Sequence, residues 1–163
     1  MITLFLKDND IPSLTDFDGN IDADKLKPHI FTAQTNDIKR ILGVTLYDKM
    51  LTDYKAGPGV GDLTGIYLTI YNDYLVPMEV YFSCMYYMTF GGSKTSNNGI
   101  VKNSFDNGVA LSDPEVNRLI GVYRQLANNA ELFFYEFMDD KEVVEYDRTK
   151  TDENNNNPVI PWY

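Results

Sequence analysis

A chain of 163 residues has the length of one domain and can hold an apolar core without disulfides or metal. Hydrophobic residues at 44% and charged ones at 23% are ordinary for a globular protein, but aromatics reach 13%, with 12 Tyr against one Trp, a bias that suits interfaces. Net charge is −10, with acids gathered at the ends: six Asp and one Lys in residues 1–24, seven acids and three bases in 139–163, and 11 acids against 10 bases between; free DNA is excluded as a ligand, because sequence-independent binding needs a basic patch.

In chain order, "ITLFL" at 2–6 predicts a short strand, and the acidic, turn-rich stretch after it leads to Asp22 or Asp24 as a helix N-cap. Leu26, Ile30, Ala33, Ile38 and Ile41 share a helical face that ends at Gly43, suited to a C-cap, with Pro28 in or near the first turn. Thr45 is the expected cap of a second helix carrying Leu46, Met50 and Tyr54 on one side, and 55–62 is a loop. Residues 63–90 read as a long helix kinked or broken near Val76 by Pro77. Its second half is apolar on nearly all sides, leaving Tyr81, Tyr86 and Tyr87 as candidates for cover by a neighbouring subunit.

Residues 91–112 lack a helical period and predict an extended arm: a β-hairpin turned at Asn107-Gly108, with Ile100, Val101, Lys102 and Phe105 before the turn and Val109 and Leu111 after it, contacting another subunit. Ser112 and Glu115 form a capping box, with Pro114 at a tolerated early position. In the last helix Val116, Ile120, Tyr123, Ala127, Ala130, Phe134 and Phe137 make a packing seam that Leu119, Leu126 and Phe133 widen. An Asn-rich linker follows, then Val159, Ile160, Pro161, Trp162 and Tyr163, an apolar end that either docks on another chain or folds back on its own bundle. The expected fold class is all-α: a bundle of about four helices, one kinked at Pro77, with the hairpin arm and a flexible tail. The divisions are an N-terminal extended segment (1–21), a helical domain (22–140, arm at 91–112) and the tail (141–163).

Chemistry is sparse. Cys84 is a single cysteine inside an apolar run and reads as a small buried hydrophobe. The N-terminus lacks a secretory pattern and no run approaches the ~20 apolar residues of a membrane span. "DFDGNIDADK" puts Ala23 and His29, or Ile21 and Lys27, where a calcium loop needs glycine and glutamate. His29 is the only histidine and sits by no nucleophile, and "GGSKTS" lacks the phosphate-loop spacing. The chain reads as non-enzymatic, with no cofactor and no metal.

"DIKRILGVTLYDKML", "YNDYLVPMEVYFSCMYYM", "NNGIVKNSFDNG" and "EVNRLIGVYRQLANNAELFFYEF" together resemble the head-to-tail connector (adaptor) proteins of tailed bacteriophages, nearest to those of Bacteroidetes phages, including crAss-like phages. The resemblance covers roughly residues 20–138. It implies a homo-oligomeric ring, a dodecamer by portal symmetry, at the head-tail junction of the virion. The ring would lie between the portal protein and a downstream tail or ring protein, with DNA passing through its lumen without specific binding. The subunit would be made in the bacterial host cytoplasm and would have no membrane partner. A rival reading is a monomeric acidic binding module, such as a DNA-mimic inhibitor, which predicts carboxylates spread over the folded body.

Overall fold

A computed structural model of the protein describes residues 3–7, 10–15, 23–56, 60–90, 93–96, 99–102 and 112–146. The helices are α1 (Asp10–Leu14), α2 (Ala23–Ala33), α3 (Lys39–Leu42), α4 (Val44–Lys55), α5 (Gly65–Thr69), α6 (Val76–Phe90) and α7 (Asp113–Asp139). π-helical turns at Gln34–Ile38 and Ile70–Leu75 join α2 to α3 and α5 to α6, so 23–42 and 65–90 are two continuous rods. The all-α bundle is as the periodicities predict.

Proline placement decides where those rods loosen. Pro77 is the second residue of α6; its ring crowds the carbonyl four residues back, that of Asp73, and it has no N–H to donate. The rod does not break there. The wider π pattern occupies the turn just before it, with the Val76 N–H reaching back five residues to the Tyr71 carbonyl. Pro28 lies inside α2 rather than at its start, and the helix runs on to Ala33. Gly43 has φ 74° and closes α3 as expected, but it also opens α4, so the helix starts at Val44 and Thr45 is not its cap. The capping box of α7 is formed, with the Ser112 N–H donating to Glu115 at 2.8 Å. Gly61 (φ 66°) seals the α4–α5 turn: a Cβ there would lie 2.1 Å from the Asp53 carbonyl oxygen. Gly61→Ala should therefore cost at least about 1–3 kcal/mol, read as a lower urea midpoint.

α6 is the central rod, packed by α2 on one side and α7 on another, with α1 also against it. The main core joins Phe5, Ile38, Ile41, Leu42, Leu46, Met50, Ile70, Leu75, Met78, Ala127 and Phe134, and a second cluster joins Leu6, Ile11, Leu26, Ile30, Val80 and Cys84. Over 3–6, the described part of the predicted strand at 2–6, no strand forms. Phe5 is buried as a plug, and its backbone is satisfied by side chains instead of a neighbouring strand: its N–H donates to Gln34 Oε1 at 2.9 Å and its carbonyl accepts from the Tyr71 hydroxyl at 2.9 Å. Gln34, in the first π turn, completes the set by donating through Nε2 to the Thr3 carbonyl and the Tyr47 hydroxyl, both at 3.0 Å.

The expected arm is overturned as well. Among the described residues no extended β-hairpin arm turned at Asn107-Gly108 is present. The strand pairing described is four residues a side: β1 (Ser93–Ser96) runs antiparallel to β2 (Gly99–Lys102), with Thr95 opposite Ile100, Lys94 opposite Val101 and Ser93 opposite Lys102. Ile100, Val101 and Lys102 thus pair backwards across a two-residue gap, with partners nearer in sequence than a turn at Asn107-Gly108 would give them. Phe105, Val109 and Leu111, the rest of the expected arm, lie outside the described residues.

Candidate assembly surface

α6 obtains its cover from its own chain. Met78, Glu79, Val80, Phe82, Ser83 and Cys84 are all buried within one copy, so the apolar run does not need a neighbouring subunit there. Burial pushes the Cys84 thiol up to about 12, the inert state expected of a structural cysteine. The three candidate tyrosines are half-buried with partners at home. Tyr86 donates to Asp37 Oδ2 at 2.9 Å; burial is the leading cause that raises both groups, the phenol to about 12. Tyr87 meets His29 edge-on at 5.6 Å, and burial lowers the imidazole from its ordinary range. Tyr81 bridges the two core clusters.

Among the described residues α7 carries four exposed large apolar side chains, Val122, Leu126, Leu132 and Phe133, against one on α6, Phe90. Its seam faces inward as predicted, with Ala127, Phe134 and Met138 buried and Tyr123, Ala130 and Phe137 half-buried. On one side of that seam α7 is pinned to α3 by a two-pronged ion pair, Arg40 to Glu131 at 2.9 and 3.0 Å, with the Tyr135 hydroxyl donating to the same carboxylate at 2.9 Å. Burial raises the Tyr135 phenol, and the hydrogen bond to Glu131 outweighs burial in raising Arg40. The other flank carries Leu119, Val122, Leu126 and Phe133, a stripe at helical spacing. Leu119 is half-buried, but Val122, Leu126 and Phe133 are 43%, 37% and 58% exposed. Leu126 and Phe133 therefore do not widen the seam; they stand beside it in solvent.

Two grooves border that flank. Near the middle of α7, Ser13, Leu14 and Thr15 face Tyr81, Tyr123 and Leu126 around a hollow of about 360 Å³. Toward its C-terminal end, Asp73 and Tyr74 face Ala130, Phe133, Glu136 and Phe137 around a hollow of about 520 Å³. The Tyr74 and Phe137 rings stack at 4.6 Å there. Past α7 the chain stays attached through Val143, which is buried, and Tyr146, whose ring meets Phe134 edge-on at 5.6 Å. The tail proper thus begins later than 141. Val159, Ile160, Pro161, Trp162 and Tyr163 lie outside the described residues.

Among the described residues no three His, Cys, Asp or Glu side chains are grouped to hold a metal ion, and no helix is long and apolar enough to cross a membrane. Among the described residues Glu79 is a chemically unusual group that the periodicity did not single out. Its carboxylate oxygens are buried without a hydrogen-bond partner, and burial first, then the nearby charge of Asp10, raises it well above the ordinary carboxyl range. Its sequence signal was a charged residue in the apolar run of α6, where Ser83, one turn on, is also polar.

A family model, DUF6712, a family of unknown function, matches residues 38–159. No curated protein and no solved structure matches the chain.

Proposed function

We propose that the chain, which belongs to the DUF6712 family, is a non-enzymatic structural subunit of a tailed-phage virion. In this reading it is a head-to-tail connector that closes into a ring between portal and tail, after synthesis in the host cytoplasm. The observation that carries the reading is the apolar flank of α7. Val122, Leu126 and Phe133 stand in solvent on the longest helix, beside a seam that is already filled. A ring closes by heterologous contact, one face of each subunit against a different face of the next, and this flank supplies one such face.

Charge placement supports the same assembly. The body at 25–138 is within one charge of neutral, so copies can approach without strong repulsion, while its lack of basic excess leaves duplex DNA in the lumen weakly held. The resemblance of the helical segments to phage connectors supplies the ring, its expected twelve copies and the partners on either side. In the assembled particle the C-terminal Val159, Ile160, Pro161, Trp162 and Tyr163 reach the portal or an adjoining ring.

Electron microscopy of the purified chain, alone and mixed with portal and tail proteins of its virion, tests the reading. Annular particles are expected. The Val122→Asp/Leu126→Asp double variant should abolish them while its unfolding free energy stays within about 1 kcal/mol of wild type, because both side chains are at the surface. A wild-type chain that stays monomeric with every such partner refutes the connector role.

A further inference from the structure

Residues 3–15 hold to the body as a peptide ligand holds to its receptor. Among the described residues no backbone–backbone hydrogen bond joins them to the rest of the chain; the contact runs through side chains. The Gln34 amide clamps the segment at two points, accepting from the Phe5 N–H at 2.9 Å and donating to the Thr3 carbonyl at 3.0 Å. One side-chain amide thus fills the places that a residue of a paired strand would take. The Tyr71 hydroxyl donates to the Phe5 carbonyl at 2.9 Å, and the Phe5 ring stands edge-on to Tyr47, Tyr54 and Tyr71 at 5.8, 5.4 and 6.4 Å. Leu6 and Ile11 anchor the remainder in the second core cluster. Main-chain hydrogen bonds for affinity and a side-chain pocket for selectivity are the means by which extended peptides are recognised, and none of these contacts depends on which copy supplies the peptide.

The segment leaves the body at the surface proposed for assembly. Its last residues, Ser13, Leu14 and Thr15, face Leu126 of α7 across a hollow of about 360 Å³, and Leu14, like Val122 and Leu126, is exposed. Between Thr15 and Ala23, where α2 begins, lie seven residues, a span of up to roughly 25 Å. A tether so short keeps the segment near its own pocket at roughly millimolar local concentration, so a dilute chain retains it. A copy seated on the α7 flank brings a second pocket to the same segment and removes that advantage.

We propose that this pocket is a peptide-docking site that also takes the 3–15 segment of an adjoining copy, exchanged across the α7 flank. The inference rests on the reading of that flank as a subunit contact. Exchange preserves every contact of the segment, so it links subunits at little cost. The ligand class is an extended peptide with an aromatic side chain two residues after a clamped carbonyl.

Two full-length chains, one carrying Thr3→Cys and the other Tyr54→Cys, test the exchange when they are unfolded together, refolded and treated with a short bismaleimide; Cys84 is buried and does not compete. In annular particles a covalent dimer of the two different chains is expected. Excess synthetic peptide of residues 1–15, added during refolding, should suppress it, as should Phe5→Asp in the first chain. The Thr3→Cys/Tyr54→Cys chain, kept dilute, should instead close within itself. Annuli that yield no mixed dimer overturn the exchange and leave the ring standing. If no annuli form, the ring reading falls, and the mixture is treated at a chain concentration of about 1 mM, comparable with that set by the tether: a mixed dimer there supports docking in trans by itself, and its absence overturns it. A mixed dimer that the peptide does not suppress also overturns the proposal, because the link then arises from collision.

Discussion

Phe134→Ala should lower stability by about 3–5 kcal/mol, whereas Phe133→Ala, one residue earlier, should change it by less than about 0.5 kcal/mol. The two side chains are identical and differ only in helical phase. Phe134 is fully buried and packs against Tyr74 at 6.3 Å, Tyr135 at 5.9 Å and Tyr146 at 5.6 Å. Removing it opens a cavity where α7, the π turn Ile70–Leu75 and the 141–146 segment meet, and the surrounding rings can collapse into it only in part. Phe133 is 58% exposed, so truncating it gives little back to water. For a domain of this size the first variant should melt roughly 6–20 °C lower and the second within a degree or two. Equal effects would mean that α7 is rotated about its axis, with the apolar flank, not the seam, facing inward.

That contrast also marks how far the sequence could be read. The heptad-like spacing of Val116, Ile120, Tyr123, Ala127, Ala130, Phe134 and Phe137 located the seam, and Gly43 and the Ser112–Glu115 box located helix ends, because caps and periodicity are local properties. Which neighbours of the seam are covered is not local. Leu126 and Phe133 are as apolar as Phe134, and only the position of α6 and α3 leaves them outside. Phe5 illustrates the same limit. Its apolar run has strand propensity, but a strand needs a partner, and the Gln34 side chain met its N–H first. The Asn107-Gly108 turn signal lies outside the described residues, and β2, the first part of the expected arm, pairs with Ser93–Ser96. For α6, counting apolar residues predicted cover on nearly all sides, whereas burial is confined to Met78–Cys84 and is supplied by α1, α2 and α7, with Phe90 left exposed.

Glu79 should make the protein less stable as pH rises through the neutral range, the reverse of what paired surface carboxylates do. The folded state holds this carboxyl well above its ordinary value, burial being the larger cause and the charge of Asp10 the second; the unfolded chain ionises it near its model value of 4.5. The folded state therefore binds more protons above that point. Stability contributed by the neutral acid is fully present below 4.5 and is lost as pH climbs toward the folded value, at up to about 1.4 kcal/mol per pH unit. Glu79→Gln, which cannot ionise, should flatten that slope, and Glu79→Met, which also removes the unpaired oxygens, should raise stability at pH 7 by at least about 1–3 kcal/mol. Urea titrations of the three proteins at pH 4.5, 6 and 7.5 distinguish them; an unchanged slope in Glu79→Gln would show that the carboxylate is ionised and solvated in the folded state. The geometry also says where the penalty acts. Glu79 is sensed by Tyr47 and Tyr54 of α4, by Tyr71 of the π turn and, through Asp10, by α1. Of these elements the N-terminal segment lies outside the rods, anchored by Phe5, Leu6 and Ile11 in the core and by the side chains of Gln34 and Tyr71 on the Phe5 backbone. Ionisation at neutral pH should therefore favour release of residues 3–15 before global unfolding, visible as faster amide exchange at Phe5 in wild type than in Glu79→Gln at pH 7.5, with the difference closing at pH 4.5.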